Sequence, residues 1–294
     1  MTMPTQKRLL NVLLADDGSL DARAAAELLA SLPHARESRI TVLRVFTPLQ
    51  TGEVSLIEET LHRTRDLLKS RHMHVHAELL LGYPSEKILE YAEEHHPDIV
   101  VMGARGLRSA IGLQLGGVAM HLAEDGRWPV MVVRGPFKPL ERILFATDGS
   151  EASRIACEYL GRFPLPPKIE VHILHVLPPE RSAVYVDPIA GSMPLITDEE
   201  LAKLNANEIE EGKKVLEDAR GCLASNGITA STVLQRGDAA EEIIKFSREE
   251  KVDLIVAGSN GLGPVRAWLL GSVTRKLVHY SERSVLIVRR LVHG

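Results

Sequence analysis

The chain repeats itself, and that repeat limits its fold more than any other feature. Ala15-Asp16-Asp17-Gly18-Ser19 returns as Ala146-Thr147-Asp148-Gly149-Ser150, 131 positions later. Pro97-Asp98-Ile99-Val100-Val101-Met102-Gly103 returns as Val252-Asp253-Leu254-Ile255-Val256-Ala257-Gly258, 155 positions later, and Trp128 to Arg134 returns at the same offset as Arg283 to Arg289. A constant offset within each block is what a duplication leaves. The step from 131 to 155 places a 24-residue insertion in the second copy, between Val176 and Gly237, with the Pro-, Ser- and Ala-rich stretch Leu177 to Thr197 as its expected body. The period is far longer than the 20–45 residues of a solenoid unit, so each copy is a whole domain. The expected domains are 7–135 and 140–290, split at Gly135-Pro136-Phe137-Lys138-Pro139.

Each copy alternates strand and helix signals. In the second, Arg142 to Thr147, Ile169 to Val176, Ile228 to Leu234, Leu254 to Ala257 and Val285 to Val288 are short apolar runs. Between them lie the helical stretches Glu151 to Arg162, Asp198 to Ser225, Ala239 to Glu250 (with Asp238 as N-cap) and Ser272 to Tyr280. Apolar strands separated by helices mean parallel sheets covered on both faces. The expected fold class is therefore α/β, with two tandem doubly wound, Rossmann-like domains of five strands each. The short apolar last strands, Val130 to Val133 and Val285 to Val288, would be exposed edges that invite pairing, here between the two copies.

Composition removes several functions. Of 294 residues, 45% are apolar and 25% charged, the balance of a globular chain, and the net charge is −4. No basic field advertises a nucleic acid or an anionic membrane, and 4% aromatic residues make a poor base-stacking platform. Lys7 and Arg8 precede the apolar run Leu9 to Ala15, but Asp16 and Asp17 end it, so it reads as a strand and not as a signal peptide. No run approaches the ~20 apolar residues of a bilayer span. Cys157 and Cys222 form no CxxC pair, which fits a reducing, cytoplasmic compartment without structural zinc.

In a doubly wound sheet the ligand lies beyond the carboxyl ends of the strands. There the first strand of each copy ends in Asp-Gly-Ser. Asp17 and Asp148 can accept a hydrogen bond from a ligand amine or hydroxyl, or merely shape the turn. The fourth strand ends in a glycine loop: Gly258-Ser-Asn-Gly261, nine residues, then Gly271-Ser272. Gly258 would let a ligand approach the backbone and Gly261 would permit a sharp bend. Gly271-Ser272 would open a helix whose free N–H groups favour an anion, the Ser272 hydroxyl adding a contact to phosphate or a divalent ion. The plainer reading of these glycines is loop geometry. The first copy has Gly103, Gly106 and Gly116 at the same spacing, with Gly117 where the hydroxyl residue would stand.

These residues resemble the nucleotide-binding signature Gly-x2-Gly-x9-Gly-(Ser/Thr) of the universal stress protein family (UspA-like, adenine-nucleotide alpha-hydrolase-like fold), in tandem form over nearly all of both copies. The resemblance implies a stress-response protein that binds ATP, or AMP or ADP, with Mg²⁺ or Mn²⁺ alongside. Asp148 and Val176 would hold adenine, Gly258 would lie near ribose, and Gly261, Gly271, Ser272 and Val273 would cradle phosphates. The matching residues in the first copy are Asp17, Val45, Gly103, Gly106, Gly116, Gly117 and Val118. The departure at Gly117 loses one oxygen and keeps the backbone donor, so copy two should bind more tightly. Nucleotide would set conformation or assembly, with at most slow hydrolysis. An interaction module with empty sites and a true slow ATPase are the alternatives. The implied assembly is an intramolecular pseudo-dimer of the repeats, with a homodimer through another face left open.

Other constellations compete. His72, His74 and His76 would share a strand face and could bind zinc, or simply be solvated. His95 and His96 suit a helix end. His175 could touch ligand or pack at the rim, and Trp268, Leu269 and Leu270 could anchor the glycine loop or stack on a base. The chain lacks a Gly-x-Ser-x-Gly elbow, a Walker Gly-Lys-(Ser/Thr), a His-Glu-x-x-His, and the Gly-x-Gly-x-x-Gly of a dinucleotide site.

Overall fold

A computed structural model describes residues 10–33, 38–107, 115–180, 198–261 and 270–289. Copy one runs β1 (Asn11–Ala15), α1 (Leu20–Ser31), β2 (Arg39–Phe46), a 3-10 segment (Pro48–Glu53), α2 (Val54–Lys69), β3 (His74–Leu81), α3 (Pro84–His95), β4 (Ile99–Gly103), α4 (Gly117–Asp125) and β5 (Val130–Val133). Copy two runs β6 (Arg142–Ala146), α5 (Glu151–Arg162), β7 (Glu170–Leu177), α6 (Asp198–Ser225), β8 (Ala230–Arg236), α7 (Ala239–Glu249), β9 (Leu254–Gly258), α8 (Ser272–Tyr280) and β10 (Ser284–Val288). The expected α/β class holds.

The ten strands of the described residues lie in one sheet, in the order β3-β2-β1-β4-β5-β10-β9-β6-β7-β8. Within each copy the pairs are parallel. The chain reverses direction across the sheet between β1 and β4, and again between β6 and β9; these are the switch points where such folds open a crevice. The copies meet where β5 and β10 pair antiparallel, with Val132 opposite Val285 and Met131 opposite Leu286. One face of the sheet carries a core continuous across both copies: Leu14 and Ile40 belong to the same cluster as Phe145 and Leu160.

The seam is also stitched by two equivalent arginines. Arg289, just past β10, donates to the Ala123, Glu124 and Gly126 carbonyls at the end of α4. Arg134, just past β5, donates to the Val278 carbonyl near the end of α8, 2.7 Å away. Each copy thus caps the last helix of the other, where unpaired carbonyls and the negative end of the dipole favour a cation. Burial pushes the pKa of both guanidinium groups down, that of Arg289 to about 10.

The strand pairings locate the insertion more narrowly than the sequence does. Ile40 pairs with Val75 as Val171 pairs with Ala230, so β2 and β7 still stand at the 131 offset, whereas β3 and β8, and the buried pairs Leu61/Leu216 and Leu68/Leu223, stand at 155. The extra residues therefore fall after β7 and before the middle of α6, which has 28 residues where α2 has 16. The expected stretch Leu177 to Thr197 lies outside the described residues except for 177–180; the rest of the insertion lengthens α6 at its start. His72 corrects another expectation. It sits at a positive φ of 63° in the turn before β3, so the three histidines do not share a strand face. Among the described residues no group of three His, Cys, Asp or Glu could hold a metal ion, and no helix is long and apolar enough to cross a membrane.

Candidate functional site

The same local chemistry builds the rim of each copy. Gly18 (φ 80°) and Gly149 (φ 76°) take the left-handed turn that ends the first strand, a conformation glycine adopts without a Cβ penalty. Ser19 and Ser150 then cap α1 and α5, accepting from Ala22 N and Ser153 N. Each aspartate turns its Oδ1 to the next serine, Asp17 to Ser19 N and Asp148 to Ser150 N, both at 3.0 Å. The other carboxylate oxygen reaches across the switch point to the glycine loop. Asp17 Oδ2 accepts from Leu107 N at 2.9 Å, and a Cβ at Gly106 would stand 2.6 Å from it. A Cβ at Gly261 would likewise stand 2.5 Å from Asp148 Oδ2. The aspartates therefore shape the turn and clamp the loop at once.

This revises the roles expected of two glycines. Gly261 is not at positive φ; it is glycine because Asp148 lies against it. Gly258 is glycine because a Cβ would sit 2.7 Å from the Ala152 carbonyl carbon on α5, as Gly103 would meet Ala22 N on α1 at 2.6 Å. Both glycines let the first helix pack against the fourth strand. Beyond β9 the loop returns with Gly271 N donating to Ser259 O at 2.7 Å, and the buried Thr274 hydroxyl donates to Gly258 O at 2.8 Å. In copy one Gly116 N donates to Ala104 O at 2.7 Å. These bonds hold the first turns of α4 and α8 against the ends of β4 and β9.

All fourteen expected residues line two recesses at the carboxyl edge of the sheet. Asp148, Val176, Gly258, Gly261, Gly271, Ser272 and Val273 lie around one of about 290 Å³. Asp17, Val45, Gly103, Gly106, Gly116, Gly117 and Val118 lie around one of about 720 Å³. Ser272 and Gly117 are the first residues of α8 and α4, where backbone N–H groups have no partner within the helix. His175 is absent from the copy-two lining; its Nδ1 pairs with Thr147 O at 2.8 Å, so it is a rim residue. Leu270 is buried in the apolar cluster shared by the copies, the anchoring role rather than the stacking one, while Trp268 and Leu269 lie outside the described residues. His95 closes α3 with its Nδ1 3.0 Å from Tyr91 O, and His96 caps the helix.

Sequence reasoning missed two charged pairs of copy one. Arg44 donates through Nη2 to Asp16 Oδ2 (2.7 Å) and through Nε to Asp16 O (3.0 Å), both side chains almost wholly buried. Burial holds the Asp16 carboxyl above its ordinary range, with the Arg44 charge pulling the other way. Arg105, inside the glycine loop, pairs with buried Asp21 at 2.9 and 3.0 Å, and Asp21 also accepts from Gly135 N. At the repeat offsets, copy two has Thr147 and His175 for the first pair and Ala152 and Asn260 for the second. The offsets held the signal: positions where one copy is charged and the other is not.

Comparison with known proteins agrees with this architecture. Residues 9–134 and 139–289 each match the universal stress protein family. Universal stress protein YxiE of Bacillus subtilis is 32% identical over 148 residues, covering 50% of this chain and 98% of YxiE. Universal stress protein MJ0577 of Methanocaldococcus jannaschii is 32% identical over 156 residues, covering 51% of this chain and 95% of that protein. A universal stress protein from Archaeoglobus fulgidus superposes on both copies together, with a TM-score of 0.65 at 21% identity, covering 97% of this chain and 98% of that one. The duplicated chain therefore belongs to the universal stress protein family, carrying two of its domains in tandem.

Proposed function

We propose that this chain binds adenine nucleotides at the carboxyl edge of its sheet, and that bound nucleotide sets its conformation or assembly in a cytoplasmic stress response. One observation carries the reading: in each copy the seven residues expected of a nucleotide site, drawn from four separate segments, line one recess. Asp148 with Val176, and Asp17 with Val45, would face the base. The first turns of α8 and α4 would face the phosphates, where free N–H groups and the helix dipole favour an anion. The donor set suits Mg²⁺ or Mn²⁺ carried on the phosphates. Ser272 offers one hydroxyl and, among the described residues, no carboxylate cage stands by, which is how Mg²⁺ sits when it keeps most of its waters.

The reading favours binding over turnover. No described side chain is placed as a base or nucleophile for phosphoryl transfer, so hydrolysis would be slow. Domains 7–135 and 140–290 would act as an intrachain pseudo-dimer joined at the β5–β10 seam. Mass spectrometry of small molecules released from freshly purified protein tests the reading most directly. ATP, ADP or AMP in the released fraction, with calorimetric binding weakened by Asp148→Ala, supports it. No released nucleotide and no heat on titration would leave an interaction module with empty sites.

A further inference from the structure

The two recesses differ more than the loss of one hydroxyl explains. Copy one's is larger by about 430 Å³, and its lining continues past the nucleotide residues onto the 3-10 segment and α2. The cause is a buried side chain. Arg44 stands under the start of α2 and donates to the Ile57 carbonyl at 3.1 Å and to the Thr60 hydroxyl. In copy two the equivalents of Ile57 and Thr60 are Gly212 and Val215, and that of Arg44 is His175. Lacking a side chain, Gly212 lets α6 settle onto the end of β7; a Cβ there would stand 2.9–3.1 Å from Leu234, Leu177 and His175. Val215 comes down on Gly149, within 2.8 Å of where its Cβ would be. Arg44 props α2 off the sheet where Gly212 lets α6 close.

The residues that neighbour the two linings differ in the same sense. At the end of β3, Leu81 is 52% exposed and Tyr83 is 64% exposed. Their equivalents in copy two are Arg236, ion-paired with Glu208, and Asp238, ion-paired with Lys276. Leu56, which lines the larger recess, is 60% exposed. A cavity in the 300–1,000 Å³ range, walled largely by apolar side chains with a few polar groups, is the usual form of a small-molecule site. Leu81 pairs with Phe46 and Tyr83 precedes Pro84; Phe46 and Pro84 both line the larger recess, so exposed apolar side chains continue beside it.

We propose that the copy-one recess takes an adenine nucleotide carrying an apolar chain or ring. Its polar end rests on the nucleotide reading above, and its apolar end lies against Phe46, Leu56, Ile57 and Ile88. The compact copy-two recess takes the bare nucleotide. Decanoyl-coenzyme A, an adenine nucleotide bearing an acyl chain, tests this by titration into the full chain beside coenzyme A and ATP. Each buried methylene is worth about fourfold in affinity. Burial of even part of the chain therefore makes decanoyl-coenzyme A at least tenfold tighter than coenzyme A. Leu56→Glu, at an exposed helix position, cancels that gain without moving the melting curve, and Leu56→Met keeps it. Equal affinities for the two compounds, or a gain that survives Leu56→Glu, would overturn the proposal. A flat ATP titration beside a Leu56-dependent acyl gain refutes the nucleotide reading of copy two and leaves the apolar recess standing.

Discussion

Gly117→Ser supplies the hydroxyl by which the expected phosphate-end residues of the two copies differ in sequence. A Cβ at Gly117 meets nothing within 4 Å, and its φ is not in the left-handed region, so serine enters without displacing any neighbour. Replacing a helical glycine by serine also favours α4 by a few tenths of a kcal/mol. A hydrogen bond to a charged group is worth about 1.5–3 kcal/mol, roughly a tenfold to hundredfold gain in affinity. The assay is calorimetric titration of ATP into Gly117→Ser in an Asp148→Ala background, which leaves copy one as the reporting site. Adenosine is the control, since without phosphates the gain must vanish. Ser272→Gly is the reciprocal experiment and should bring copy two toward copy one. If Gly117→Ser leaves ATP affinity unchanged, or improves ATP and adenosine alike, the hydroxyl does not face phosphate and the α4 and α8 N-termini have been misassigned.

Three further perturbations test the surrounding structure. Gly261→Ala should weaken nucleotide binding by displacing the Asp148 carboxylate 2.5 Å away, and less so in an Asp148→Ala background; calorimetry should show a coupling of about 0.5–3 kcal/mol, and strictly additive losses would deny the clamp. Arg289→Met removes the cation that caps α4 from the other copy and should cost about 1.5–3 kcal/mol in urea unfolding, whereas an unchanged midpoint would make the cap incidental. Arg44→Met strands Asp16 in the core and should cost about 3–5 kcal/mol, with Asp16→Thr relieving most of the loss. Its pH dependence has a definite sign. The folded pKa of Asp16 is raised, so its contribution is most favourable below about 3.8, the ordinary aspartate value, and declines as pH rises through the folded value. Arg44→Met should steepen that decline in a stability–pH series, and a parallel profile would show that Asp16 does not titrate with folding.

Much of this was legible because strands and helices announce themselves by period. Glu151–Arg162, Asp198–Ser225 and Ser272–Tyr280 are the helices expected, and β9 extends the expected run by one residue, to Gly258. What sequence could not supply was the reason for individual residues. A Gly-x-x-Gly shows that two side chains are missing and not what fills the space. At Gly258 it is the Ala152 backbone, and at Gly261 the Asp148 carboxylate, contacts made across the switch point by segments more than 100 residues apart. The alternating histidines failed for a local reason. Their spacing predicts strand geometry from His72 onward, but the turn into β3 puts His72 at positive φ and breaks the alternation.

The pattern of likeness between the copies follows from what each part must fit. At the seam each copy is the other's template. Val132 lies against Val285, Met131 against Leu286, and equivalent arginines cap each other's helices, so a change on one side needs a matching surface on the other. At the carboxyl edge the copies share the Asp-Gly-Ser turn and the loop glycines, and each recess is lined by its own copy alone. Around that shared frame the copies differ: Asp16 and Arg44 against Thr147 and His175, Ile57 against Gly212, Gly117 against Ser272. Yet the two regions share α4 and α8. α4 begins at Gly117 in the copy-one recess and ends beneath Arg289 of copy two, while α8 begins at Ser272 and ends beneath Arg134 of copy one. A nine-residue helix is about 13 Å long and packed along its length, so displacement at one end is carried to the other. The duplication therefore leaves two recesses free to differ in their linings, each resting on a helix that the opposite copy grips.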